Sequence, residues 1–487
     1  MSEVLPPLEL SSRVCEHARL TRDVRFDGLF FTAVESTGIF CRSVCPAPPA
    51  KAANVRYYAS AAAALAAGFR PCLRCRPEAA PLASPWRLRN ALVTGALQLI
   101  DDGLLDRAPI ATLAARVGVG ERQLRRVFAA TLGASPVEVA ATRRLLLAKQ
   151  LLDDTTLPVT DVALAAGYGS VRRFNTAFRA AYKMAPRELR RTRRPTTGEG
   201  VHLRLPCRAP FDFAGLLAFF RQRAMPGTET VDAHSYARAF SWGGENGTLR
   251  VGKHADEAAL DVHVRHPQVR ALPDVIACVR RLFDVDTDAR AVADVLRRDP
   301  LLAPLVKRHP GIRLAGGWSG FEMAVRAVLG QQISVAAART LVGRLIARWG
   351  QPLGAPQGEL RCVFPTPEAL CDADVGAIGL TRKRAETLRG VARALVDGHV
   401  DFRPEQGLDA FVTTWTALPG IGPWTAHYLA MRAFGHPDAF PAADLVLRKV
   451  VGGTTPVTTN QLERRAAAWR PWRAYATLLL WRAASAQ

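Results

Sequence analysis

The stretch Leu418-Pro419-Gly420-Ile421-Gly422-Pro423-Trp424-Thr425-Ala426 restricts the fold of this chain more than any other. Pro419-Gly420 and Gly422-Pro423 bracket a tight hairpin, because glycine lets the backbone turn sharply and approach a partner closely. A helix reads out of the hairpin from Trp424. Its first amides have no partner inside the helix, so they point outward and can take a phosphate oxygen. Alone, Pro-Gly-x-Gly reads as an ordinary turn between helices. Here Trp424 and Tyr428 follow one helical turn apart, and a carboxylate lies beyond them in Phe440-Pro441-Ala442-Ala443-Asp444-Leu445.

Turn, aromatic pair and carboxylate together resemble the helix–hairpin–helix DNA glycosylase superfamily, in its 3-methyladenine DNA glycosylase II (AlkA-type) branch. The resemblance implies that Gly420 and Gly422 grip a DNA backbone and that Asp444 is the catalytic carboxylate. It also implies that Trp424, Tyr428 and Trp472, the last in Trp469-Arg470-Pro471-Trp472-Arg473-Ala474-Tyr475, line a pocket for an extruded base. The chemistry agrees with these roles. A damaged base must leave the stack to be reached. N-alkylated purines carry positive charge, which aromatic faces attract. A carboxylate beside the sugar stabilises oxocarbenium-like charge and orients or deprotonates water. An isolated aspartate before a helix is more often an N-cap.

Two further segments carry the same resemblance. Phe321-Glu322 through Gly330-Gln331-Gln332-Ile333-Ser334 resembles the segment that inserts a side chain into the duplex, with Gln332 as the plug and Phe321, Val325 and Val328 as core. Residues 379–385 resemble a second backbone-gripping turn, with Lys383 and Arg384 near phosphate. Bifunctional relatives have a lysine where Trp424 stands. The resemblance therefore implies a monofunctional enzyme that releases the base with water, leaves an abasic site and needs no cofactor for that step. Ala443 stands where the family often has a second acidic or polar residue. No cysteine follows Cys371, so the iron–sulfur loop of other relatives is not expected. Residues 201–310 read as a mixed α/β subdomain, with strands at 247–251 and 259–264 and helices at 213–224 and 273–283, and 311–487 as an all-α module.

Four of the nine cysteines form one pattern, Cys41-x3-Cys45 and Cys72-x2-Cys75. Two close pairs on separate turns suit tetrahedral zinc, which would lend folding energy to a segment this short. A purely structural knuckle is the commoner fate of such sites. The words Thr37-Gly38-Ile39-Phe40-Cys41-Arg42 and Gly68-Phe69-Arg70-Pro71-Cys72-Leu73-Arg74-Cys75 resemble the N-terminal domain of the adaptive-response regulator Ada. That resemblance implies one zinc ion and makes Cys41 the acceptor of a methyl group from a DNA methylphosphotriester, once per molecule. Four thiolates on one zinc ion carry a net charge of about −2, and methylation lowers the repulsion of phosphate. Arg42, Arg70, Arg74 and Arg76 are expected on the phosphate side. Pro48 stands near a position that is often basic in the family.

Between these modules the chain repeats itself. Residues 110–118 and 162–167 are short amphipathic helices ending at glycine, each followed by a second helix, at 121–131 and 170–182. Leu124/Phe128 and Phe174/Phe178 are i,i+4 core pairs. Pro136 and Pro186 close the two units 50 residues apart. The repeat resembles the AraC/XylS-type double helix-turn-helix, with 142–152 as connecting helix. That implies two recognition helices in successive major grooves, presenting Arg122, Gln123 and Arg126, then Arg172, Asn175 and Arg179. Arginine suits guanine edges and Asn or Gln suits adenine, although most protein–DNA hydrogen bonds go to the backbone.

The chain thus reads as multidomain and mainly α. Residues 1–80 are a small α/β zinc domain, 85–192 a tandem helix-turn-helix, 193–200 a linker, and the rest the two-part glycosylase. A formal net charge of +22 points to a polyanionic partner, here damaged and promoter double-stranded DNA. RNA polymerase is a further expected partner, and a monomer the expected state. No apolar run of about 18 residues predicts a membrane span. The start Met-Ser-Glu-Val-Leu-Pro-Pro lacks the features of a signal peptide, and sparse cysteines fit a reducing compartment, so a cytoplasmic, nucleoid-associated protein is expected. The rival reading is a regulator of the alkylation response whose glycosylase module only binds damaged DNA.

Overall fold

The computed structural model describes residues 10–81, 90–191, 200–403, 406–433 and 435–485. The chain is mainly helical with small sheets. It divides into two compact units, Met1–Pro206 with Gln268–Ala277, and Cys207–Pro267 with Cys278–Gln487. All but the last residue of the expected linker at 193–200 lies outside the described residues. No helix among the described residues is long and apolar enough to cross a membrane.

The first unit begins with a four-stranded sheet ordered Val55–Tyr58, Phe31–Val34, Ile39–Arg42, Arg70–Pro71. The last two strands run parallel, pairing Ile39 with Arg70 and Phe40 with Pro71. Phe31 and Phe40 meet edge to face at 5.8 Å, and the helix Ala61–Ala66 packs its alanines over them. The helix-turn-helix pairs follow as Ile110–Arg116 with Glu121–Leu132, and Val159–Ala165 with Val171–Tyr182.

The connecting helix is longer than the sequence pattern suggests, running Pro136–Asp154. Pro136 opens this helix rather than closing the unit before it. Proline at the first helical position gives up an amide that has no partner there anyway, and Ser135 with Glu138 forms a reciprocal capping box. Pro186 likewise opens the helix Pro186–Arg191.

The segment after Cys75 docks on the connecting helix through buried charge. Lys149, 1% exposed, contacts both Glu78 and Asp153. Arg76, in a left-handed conformation, reaches Asp154 at 2.8 Å and Glu78 at 3.1 Å. Ser60 Oγ adds a hydrogen bond to the Leu132 carbonyl, 2.8 Å long.

In the second unit, Glu229–Val231, Ser235–Trp242, Glu245–Lys253 and Ala259–Arg265 form consecutive antiparallel strands. The pattern marked only the last two. Ser235–Trp242 is buried on both faces over its first six residues, so it has no apolar–polar alternation to read. One face is covered by a hairpin, Gln351–Gln357 with Leu360–Val363, that the sequence also hides. Its Leu353, Leu360 and Val363 pack on Ala237 and Ala239. Helix Gly320–Leu329 is core, as Phe321, Val325 and Val328 suggest.

Candidate active site and metal centre

The helix Leu408–Thr416 ends in the turn 417–422, and the helix Pro423–Arg432 leaves it. Gly420 has φ +86°, and a Cβ there would lie 2.0 Å from Thr387 Oγ1. Only glycine allows the hairpin to close on the helix Arg382–Val396. Gly422 is exposed and caps Pro423–Arg432 without a side-chain hydrogen bond, which leaves the amides of the first turn available to an anion. In the second turn Thr381 caps Arg382–Val396 by accepting from the Arg384 amide. Lys383 is exposed there, whereas Arg384 is half-buried and donates to the Gln331 carbonyl at 2.7 Å.

Asp444 is 8% exposed and is an N-cap: its Oδ1 accepts from the Leu447 amide at 3.0 Å, at the start of Leu445–Gly452. The cap uses only part of the carboxylate. Trp424 Nε1 donates to Oδ2 at 2.9 Å, and Trp481 Nε1 approaches Oδ1 at 3.4 Å. Capping through Oδ1 therefore leaves Oδ2 turned toward the aromatic rings. The backbone amide fixes the carboxylate, and two indoles orient it beside the aromatic rings.

Trp424 and Tyr428 stack at 5.2 Å with planes 9° apart, as expected for residues one turn apart on one helix. The third aromatic differs from expectation. Trp472 is buried edge-on against Tyr475 at the entrance to the last helix, Arg473–Ser485. The tryptophan that reaches Asp444 is Trp481, on the third turn of that helix, with its ring 6.3 Å from Tyr428. A tryptophan after the apolar run Leu478-Leu479-Leu480 was the available signal. Arg432, which no motif marks, donates to the Tyr428 hydroxyl at 3.1 Å. Burial works to raise the Tyr428 phenol, but the Arg432, Arg223 and Arg326 charges outweigh it and hold the phenol below its ordinary value.

Gln332 is exposed, in a left-handed conformation with φ +56°, between the helices Gly320–Leu329 and Val335–Trp349. Its neighbour Gln331 faces inward, donating to the Gly420 carbonyl at 3.0 Å.

In the first unit the parallel strands Ile39–Arg42 and Arg70–Pro71 bring the two cysteine turns side by side, locked by Cys72 N donating to the Phe40 carbonyl at 2.9 Å. The Sγ atoms of Cys41, Cys45, Cys72 and Cys75 all lie within 4.8 Å of one another. Four thiolates around one tetrahedral ion at about 2.3 Å sit about 3.8 Å apart, so the donor set fits zinc. Cys72 and Cys75 are buried, at 8% and 6% exposed, while Cys41 and Cys45 are half-buried.

Two arginines expected on the phosphate side are committed elsewhere. Arg42 is ion-paired with Asp27 and donates to the Cys75 carbonyl at 3.1 Å. Arg76 belongs to the buried cluster on the connecting helix. Arg74 is exposed and Arg70 half-buried. On the recognition helices Arg122, Gln123, Arg126, Arg172 and Arg179 are exposed and Asn175 is half-buried, while Leu124, Phe128, Phe174 and Phe178 form the opposite, buried faces.

Comparison with known proteins agrees with this anatomy. Residues 14–78 match the family model described as the metal binding domain of Ada, and 113–192 a helix-turn-helix domain. Residues 202–319 match the AlkA N-terminal domain, and 325–474 the HhH-GPD superfamily of base excision DNA repair proteins. A Mycobacterium tuberculosis protein named "Probable bifunctional transcriptional activator/DNA repair enzyme AlkA" is 41% identical over 96% of this chain and 95% of its own. The Escherichia coli DNA-3-methyladenine glycosylase 2 is 34% identical over 56% of this chain and 94% of its own. Among solved structures, the 3-methyladenine DNA glycosylase from Archaeoglobus fulgidus shares the fold, with a TM-score of 0.51 at 22% identity, over 58% of this chain and 98% of that one. The likeness runs from the four-cysteine sheet to the helices around Asp444, and the chain belongs to the family that joins an Ada-type metal-binding and helix-turn-helix regulator to an AlkA-type DNA-repair glycosylase.

Proposed function

We propose that this protein excises N-alkylated bases of the 3-methyladenine and 7-methylguanine type from DNA, as a monofunctional glycosylase. The observation that carries the reading is a carboxylate, Asp444, hydrogen-bonded by the indole of Trp424, on the helix that leaves the glycine hairpin. Gly420 and Gly422 shape the grip on the DNA backbone, and Lys383 adds charge beside it. Gln332 occupies the place of the flipped nucleotide. The flipped cationic base is held by the faces of Trp424 and Tyr428, with Trp481 closing on the carboxylate. As the N-glycosidic bond lengthens, its electron pair goes to the neutral leaving base. Asp444 stabilises the positive charge left on the sugar and takes a proton from the attacking water. Trp424, standing where a strand-cutting relative has lysine, offers no amine, so the product is an abasic site. Release of 3-methyladenine and 7-methylguanine from methylated duplex DNA, with Asp444→Asn alongside, tests the reading. No release by folded wild type would overturn it.

The attached regulator senses methylphosphotriesters through Cys41. Cys41, Cys45, Cys72 and Cys75 would hold one zinc ion, which when bound keeps their thiols ionised at neutral pH. The Cys41 sulfur takes the methyl group as a thioether, and the phosphotriester becomes a phosphodiester anion. Partial exposure, against the burial of Cys72 and Cys75, narrows the choice to Cys41 and Cys45, and the Ada resemblance favours Cys41. Intact mass after exposure to methylphosphotriester DNA is expected to rise by one methyl group, and not to rise in Cys41→Ala.

A further inference from the structure

A residue with φ of +56° that is not glycine is uncommon, and such backbone persists where its surroundings hold it. Gln332 carries that conformation at an exposed tip, and the residue before it, Gln331, is fastened to its surroundings. The Gln331 side-chain amide donates to the Gly420 carbonyl at 3.0 Å and reaches Thr425 Oγ1 at 3.4 Å. Its own carbonyl accepts from Arg384 Nη2 at 2.7 Å, and its amide donates to the Val328 carbonyl at 3.4 Å. One residue is thus tied at once to the hairpin, to the helix Arg382–Val396 and to the helix that precedes it. Gly420 is the turn residue that a side chain would drive into Thr387, so the carbonyl Gln331 holds belongs to a backbone with almost no freedom.

We propose that Gln331 is a positioning residue, a strut that sets the height and direction of Gln332 from the backbone-gripping hairpin, so that gripping phosphate and filling the vacated stack occur in one fixed register. The inference rests on the reading of the chain as a base-flipping glycosylase with Gln332 as its plug. Gln331 touches neither the base nor the sugar; it acts through Gln332. A ruler of this kind matters because the productive geometry tolerates little displacement, and a shift of about 1 Å can cost about a hundredfold in rate.

The test uses the full chain and a duplex bearing one N-methylated purine with 2-aminopurine as its neighbour. Single-turnover base release and 2-aminopurine emission at saturating protein are measured for wild type, Gln331→Ala, Gln331→Glu, Gln332→Ala and Gln331→Ala/Gln332→Ala. Gln331→Glu keeps the size but sets a carboxylate against the Gly420 carbonyl. Both Gln331 variants are expected to release base about tenfold more slowly, the effect of losing one hydrogen bond. They should also lower the emission toward that of Gln332→Ala, with melting temperatures lowered by no more than about 2–4 °C. The double variant should be no slower than Gln332→Ala alone, because residues acting in series do not add. Wild-type rates in both Gln331 variants would overturn the strut. So would multiplied losses in the double variant, or a slow Gln331→Ala beside an unimpaired Gln332→Ala. Absence of release by the wild-type chain would instead overturn the glycosylase reading beneath it.

Discussion

Replacing Asp444 by asparagine and by alanine separates its two roles. Asparagine is as good an N-cap as aspartate, so Asp444→Asn should keep the Leu447 hydrogen bond and the melting temperature. It lacks the charge that the reaction needs, and base release should fall by about 10²- to 10⁴-fold. Asp444→Ala should lose release equally and also about 1 kcal/mol of stability with the cap. Chemical denaturation beside the release assay reads both effects, and a fully active Asp444→Asn would sink the catalytic assignment. Trp481→Phe keeps a ring against Tyr428 but removes the indole donor from Oδ1. We expect release about tenfold slower at an unchanged melting temperature, and equal activity would reduce Trp481 to packing. Asp444 was legible in the sequence because turn, aromatic pair and carboxylate occur together. The sequence motif points to Trp472 and gives no mark to Trp481: three tryptophans lie within thirteen residues, and only the path of the last helix decides which one reaches the carboxylate. Arg42 misled for a similar reason: adjacency to Cys41 suggested phosphate, but the fold brings Asp27 onto it.

Elements whose pattern has a period were readable, and those without one were not. The recognition helices announce themselves through Leu124/Phe128 and Phe174/Phe178, all fully buried. The doubly buried strand Ser235–Trp242 and its covering hairpin gave no period, and Pro136 looked like a stop where it is a start. The glycine turn can be tested as an element. In Gly420→Ala the new methyl must displace Thr387 and the residue must keep a positive φ. A loss of roughly 1–3 kcal/mol is expected, together with weaker binding of abasic-site DNA. Wild-type stability would mean that the hairpin can reopen. The connecting helix offers a second test. Lys149→Met removes a buried ammonium from the cluster in which Glu78 and Asp153 contact Lys149 and Asp154 pairs with Arg76. Stripping one partner from buried charges typically costs about 3–5 kcal/mol. The domain should unfold at markedly lower urea, and an unchanged urea midpoint would show that the cluster contributes nothing to its stability.

At the scale of the whole chain, the two chemistries sit in different compact units. Asp444, Trp424, Tyr428 and Trp481 belong to the second, and all four cysteines to the first. A strong chelator should therefore loosen the cysteine module, seen as new protease cuts within residues 14–78, while base release continues at the untreated rate. Loss of release in step with the metal would show that the second unit depends on the first. The matched segments 14–78 and 113–192 are separate families, yet Glu78 and Lys149 share one buried contact. Grafted alone, 113–192 keeps one cation, Lys149, for two carboxylates, Asp153 and Asp154, while 14–78 keeps the Arg76–Glu78 pair but loses the helix it docks on. A transplant that keeps residues 10–154 together moves Arg76, Glu78, Lys149, Asp153 and Asp154 as a set. Recombination that broke the chain between Glu78 and Pro136 would strand Arg76 and Glu78 on one side and Lys149, Asp153 and Asp154 on the other. The portable piece of this protein is the sensor together with the helix-turn-helix segment that contains its connecting helix, and exchange of the regulator between relatives should leave its seams beyond residue 192.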